Sequence, residues 1–130
     1  MERTLNNLNK PKSKNKPANE FPSVITSLPE ADIQVKGIKA WIVQAEKHQL
    51  IFFEMQSTAL VPEHSHNYPQ WGMVIEGEMR LTINGKTRTI QKGDEYLIPA
   101  QAKHKATFTT KTRVMDFFSE KTRYKTKTTK

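Results

Sequence analysis

The stretch "GEMRLTINGKTRTI", residues 77–90, runs in a two-residue period: Met79, Leu81 and Ile83 alternate with Glu78, Arg80 and Thr82. Successive strand side chains point to opposite faces, so this alternation predicts one buried and one wet face. Asn84-Gly85 separates the first run from Lys86–Ile90. Both residues tolerate the positive φ that a two-residue hairpin turn demands. The segment therefore reads as an antiparallel hairpin lying over a core.

Working outward, the same texture repeats. Upstream, "IKAWIV" (38–43) and "QLIFFEMQ" (49–56) flank the polar "QAEKH" (44–48), a turn that leaves His48 facing solvent, and "WGMVIEG" (71–77) leads into the hairpin. Downstream, Lys92-Gly93-Asp94 turns into "EYLI", Pro99 ends that strand, and "HKATFT" (104–109) and "RVMDFFSE" (113–120) complete the set. Helical i, i+3, i+4 spacing is scarce. Eight to ten short strands with turns every 8–12 residues or so are expected, the pattern of an all-β sandwich or small barrel. With 130 residues the chain has room for one such domain. We place it at residues 21–119. Residues 1–20, rich in Asn, Lys and Pro, read as a flexible arm, and residues 120–130 as a basic C-terminal tail that frays.

The net charge of +8 lies mostly in those ends. Residues 1–20 carry five Lys/Arg and two acids, and residues 120–130 five and one; of 21 basic and 13 acidic residues, that leaves 11 and 10 between them. A basic stripe with interleaved aromatics is missing from the domain, so no specific nucleic-acid partner is expected. The chain has no Cys, which excludes disulfides and thiolate metal sites. The longest apolar run, "LIFF" at 50–53, is far too short to span a bilayer, and the N-terminal stretch lacks an apolar leader. These features set the expectation of a soluble, cytoplasmic protein with no membrane partner.

His64 and His66 stand one residue apart in "PEHSHNYPQWG". In a strand they project from one face, which suits bidentate capture of a metal; taken alone, such a pair is more often a surface accident. The company it keeps changes the weight. The chain reads His64, Ser65, His66, three residues, Gln70, six residues, Gly77; later it reads Gly93, five residues, Pro99, Ala100, Gln101, two residues, His104. This order resembles the two motifs of the cupin superfamily. The first motif is Gly, five residues, H-x-H, three or four residues, Glu, six residues, Gly. The second is Gly, five residues, P-x-G, two residues, His, three residues, Asn. Thr58, Gln70, Gln101 and Phe108 replace the first Gly, the Glu, the internal Gly and the Asn.

The resemblance implies a single-domain cupin-type β-barrel, a double-stranded jelly roll, over about residues 21–119. It further implies a divalent metal ion (Fe, Mn, Ni, Cu or Zn) held by His64, His66, Gln70 and His104. An amide at position 70 cancels none of the metal charge, so an anionic ligand is favoured; three neutral imidazoles are also the set that lowers zinc-bound water to a pKa of about 7. Gln70 either ligates the metal or hydrogen-bonds to a histidine ring. The function expected is that of a small metalloenzyme, an oxygenase, isomerase or lyase acting on an oxygenated small organic molecule. A non-catalytic small-molecule-binding module is the alternative. Because cupins often pair through an outer sheet, a homodimer is also expected.

Other residues read structurally. Glu63, beside His64, should point away from the site. Trp71 should face away too, as core between layers more readily than as part of a subunit contact, and Met55, Met73, Met79 and Met115 read as packing residues. Asp116, between Met115 and Phe117, is either outward and solvated or an inward base in the pocket.

Overall fold

A computed structural model describes residues 19–128. The arm expected over residues 1–20 lies, up to residue 18, outside the described residues. After a single helical turn, α1 (Ser23–Thr26), come nine strands: β1 (Ile38–Gln44), β2 (Gln49–Met55), β3 (Leu60–His64), β4 (Gln70–Glu76), β5 (Glu78–Ile83), β6 (Lys86–Gln91), β7 (Glu95–Ile98), β8 (His104–Phe108) and β9 (Thr112–Phe118). They form two antiparallel sheets, ordered β1-β2-β9-β4-β7 and β3-β8-β5-β6. The opening hairpin is β5–β6, with Ile83 opposite Lys86 and positive φ at Asn84 (49°) and Gly85 (83°). Only a residue free of Cβ clashes, or one with a short polar side chain, takes that conformation readily.

Period-two burial organises the core. Ile51, Phe53 and Met55 of β2, Val74 of β4, Met79 and Leu81 of β5, Ala106 and Phe108 of β8, and Val114 and Phe118 of β9 are buried between the sheets. Met55 and Met79 are core, as expected. Met73 and Met115 differ: they sit opposite each other in the β4–β9 register on the outer face, half-buried. Trp71 shares that face, where its indole N–H donates to Glu95 Oε1 at 2.7 Å. It faces away from the site as expected but is not core, because the five-stranded sheet carries apolar residues on both faces. Among the described residues no helix is long and apolar enough to cross a membrane.

The C-terminal segment departs from the expected fraying. Residues 120–127 fold back beside the segment before β1, with an isolated bridge between Ala31 and Thr126, Asp32 N–H donating to Lys125 O (2.8 Å) and Lys127 N–H to Glu30 O (2.7 Å). The anchor is Gln49, fully buried on β2. Its amide donates to Tyr124 O and accepts from Tyr124 N–H, both at 2.9 Å, as a neighbouring strand would. The Tyr124 ring packs edge-on to Phe53 (5.8 Å) and Phe118 (5.7 Å). Burying one such ring stabilises by about 1.5–3 kcal/mol, which offsets the ordering of a short polar segment that composition alone predicts to fray.

Candidate metal centre

His64 closes β3 and His104 opens β8, and the two are register partners across the four-stranded sheet. Gln70 opens β4 in the other sheet. The site thus lies between the sheets, where both contribute. His66 departs from the strand geometry expected of it: β3 stops at His64, after a register shift between Val61 and His64, and His66 stands on the following loop. The loop still turns it inward, where it stacks on Tyr68 with ring centroids 4.4 Å apart. The His64–His104, His66–His104 and His64–His66 ring centroids are 4.1, 5.0 and 5.8 Å apart. One ligand nitrogen from each ring lies within 4.8 Å of the others.

Backbone carbonyls set the tautomers. Nδ1 of His64 contacts Pro62 O (2.9 Å), Nδ1 of His66 contacts Tyr68 O (2.7 Å), and Nδ1 of His104 contacts Ala102 O (2.9 Å). A carbonyl only accepts, so each Nδ1 carries the proton and each neutral ring keeps an Nε2 lone pair. Burial, ahead of the repulsion from neighbouring rings and Arg123, lowers the His104 pKa to about 4. Burial likewise lowers that of His64, with smaller contributions from Arg123 and His66. Neutral imidazoles oriented by their second nitrogen are what a metal requires. His104 Nε2 is buried with no hydrogen-bond partner among the described residues, a costly arrangement for a polar atom unless something else occupies it.

Gln70 Oε1 is 3.1 Å from His66 Nε2. With the His66 proton committed to Tyr68 O, two lone pairs face each other. The contact becomes attractive with a cation shared between the two atoms, a metal ion or a second ring proton; turning the amide to donate its N–H to His66 would give up the hydrogen bond it makes to Asp116.

Behind Gln70, and unassigned by the sequence, stands a buried acid. Asp116 faces inward from β9, and Tyr96 O–H on β7 donates to its Oδ1 at 2.5 Å. Burial, opposed by the Tyr96 and Gln70 hydrogen bonds, raises the Asp116 pKa from 3.8 to about 7. Burial also carries the Tyr96 hydroxyl well above its ordinary value, helped by the Asp116 charge. The pair fits because residue 72 is glycine; a Cβ there would overlap Asp116 Oδ1 and the Tyr96 ring.

These groups line a cavity of about 310 Å³, otherwise largely apolar. Sequence reasoning missed Tyr96, whose inward parity with Ile98 was available in "EYLI", and Arg123, for which no local signal exists. Arg123 reaches the cavity from the C-terminal segment, with Nη2 at 3.3 Å from His64 Nε2. Residues expected outside the site stay outside. Glu63 is exposed, and His48 is stacked on Phe117 (4.8 Å) on the outer face, half covered rather than fully solvated.

Comparison with known proteins accords with this geometry. A family model described as a cupin domain matches residues 51–118. Among solved structures, an RmlC-like cupin from Shewanella frigidimarina superposes with a TM-score of 0.69 at 21% identity, covering 83% of this chain and 95% of that one. KdgF from Halomonas sp. gives 0.66 at 22% identity, over 73% and 90%. Salicylate 1,2-dioxygenase from Pseudoaminobacter salicylatoxidans, in adducts with gentisate, gives 0.63 at 16% identity over 67% of this chain and 26% of that one. At these identities the likeness is one of fold. Among curated proteins, none matches at a significant level.

Proposed function

The chain belongs to the cupin-domain family, and from that premise we propose that it is a small metalloenzyme acting on an oxygenated organic molecule. A divalent metal ion would be held by His64, His66 and His104 with Gln70 as fourth ligand. The observation that carries this reading is the buried, partnerless Nε2 of His104, facing two further imidazoles whose protons are likewise tied up on the opposite nitrogen. A cation shared by His66 Nε2 and Gln70 Oε1 also accounts for their 3.1 Å approach.

When bound, the metal would supply Lewis-acid or redox chemistry at a ligand oxygen. The protein's own residues do the rest. Backbone carbonyls at Pro62, Tyr68 and Ala102 hold the imidazole planes. The apolar walls limit water. Asp116, with a pKa of about 7, can hold or release a proton at its carboxyl near neutral pH, while Tyr96 fixes its orientation. This inward acid supplies the acid–base group whose absence would have favoured a purely binding module. Proton transfer to or from a ligand, as an isomerase, a lyase or some oxygenases require, falls within that equipment.

Metal content of untagged protein by plasma mass spectrometry tests the reading. Wild type is expected to carry near-stoichiometric metal and His66→Ala to lose it, while Gln70→Glu, adding a charged ligand, binds more tightly. A wild type that stays empty when offered Fe, Mn, Ni, Cu and Zn refutes it.

A further inference from the structure

Two cations line the cavity, Lys105 and Arg123; Lys105 is exposed, whereas Arg123 is half-buried beside the histidines, and the metal reading leaves it without a task. Its guanidinium is always charged and offers five donors in a planar fork. Such a group is costly beside apolar walls unless paired. No carboxylate among the described residues lies within salt-bridge distance of it. Its Nε is buried with no hydrogen-bond partner among the described residues, and Nη2 finds the His64 lone pair at 3.3 Å. That lone pair is the one a metal would take. The guanidinium is held in place by other means, over the rings of Phe118 (5.6 Å) and Tyr124 (5.0 Å) and on a backbone clamped by Gln49.

We propose that Arg123 determines ligand specificity by receiving the carboxylate of a small organic acid whose second oxygen donor, on the carbon next to the carboxylate, reaches the three-histidine centre. This rests on the metal reading for the second oxygen and on Arg123 alone for the first. Adjacency follows from distance. With Nη2 3.3 Å from a prospective metal-ligating nitrogen, two polar groups on neighbouring atoms span the two centres, as they do in a 2-hydroxy or 2-oxo acid. The remainder of the ligand meets Phe53, Ile98, Val114 and Phe118, so it is apolar, and a volume of about 310 Å³ keeps it small.

The test is calorimetric titration of full-length protein, metal-loaded and chelator-treated, with three probes: mandelate, its uncharged amide, and phenylacetate, which lacks the 2-hydroxyl. Metal is assayed in each sample. Loaded wild type should bind mandelate at least about ten-fold more tightly than mandelamide, the lower end expected for a charge-assisted hydrogen bond. Arg123→Gln should lower that preference in loaded protein, with metal content unchanged, and abolish it in chelator-treated protein; Arg123→Lys, keeping charge without the fork, should retain part of it. In chelator-treated wild type the preference for acid over amide should persist, while the advantage of mandelate over phenylacetate disappears. A failure of the metal reading alone removes only the hydroxyl advantage. The proposal is overturned if wild type binds acid no better than amide, if none of the probes binds at millimolar concentration, or if folded, chelator-treated Arg123→Gln keeps the preference undiminished. The wild-type comparison stands even where a variant does not fold.

Discussion

The buried Asp116 makes a prediction that runs against ordinary experience with charged residues: replacing it by Asn should stabilise the protein at alkaline pH. The carboxyl titrates at about 7 in the folded chain against 3.8 as its ordinary value. Between those two values the folded state holds a proton that the unfolded state has released, so stability falls as pH rises, by about 1.4 kcal/mol per pH unit. Over the whole window the loss is about 4 kcal/mol. It is complete above the folded-state pKa and absent below pH 4. The wild-type profile conceals it, because His104, lowered to about 4, contributes with the opposite sign between pH 4 and 6.5: its unfolded form binds the proton and its folded form does not. The difference between wild type and Asp116→Asn cancels His104 and every surface group. Urea unfolding of both proteins in the presence of a chelator, at intervals from pH 4 to 8, should show near-equal stability at pH 4 and a variant more stable by up to about 4 kcal/mol at pH 8. A difference that does not change with pH would refute the reasoning, since Asp116 would then titrate alike in both states.

Two further outcomes rest on packing. Gly72→Ala drives a methyl group into Asp116 Oδ1 and the Tyr96 ring; a destabilisation of about 1–3 kcal/mol or more is expected, read as a lower urea midpoint. Gln49→Leu keeps the volume but strips both partners from the Tyr124 backbone. A loss of roughly 2–4 kcal/mol is expected, together with faster tryptic cleavage at Lys121, Arg123 and Lys125 while the barrel itself stays resistant.

Much of this architecture is legible in the linear chain where one face of a strand is wet. The β5–β6 hairpin announces itself because Glu78, Arg80 and Thr82 break the apolar pattern at every second place. Strand β9 offers no such contrast. Val114 and Phe118 point in while Met115 and Phe117 point out, so the parity of Asp116 between them cannot be read, and Trp71 was misplaced into the core for the same reason. The resemblance to the two cupin motifs named His64, His66, Gln70 and His104 together, and they lie close in the fold even though His66 reaches the site from a loop rather than a strand. Arg123 was beyond reach. It lies in a stretch dominated by Lys and Thr, and its position depends on a buried glutamine on β2, on aromatic contacts to Phe53 and Phe118 and on backbone bonds to the segment before β1, none of which leaves a periodic trace.

The Gln49 clamp has a consequence for how such a protein diversifies. The family match ends at residue 118, before the segment that carries Arg123 begins. The three histidines and the guanidinium therefore reside on separate stretches of chain, the second held by the Gln49 amide, by backbone hydrogen bonds to Glu30 and Asp32 and by the packing of Tyr124. Replacing residues 120–127 while retaining Gln49 is therefore a way to change what faces the cavity beside His64 without altering the histidines themselves.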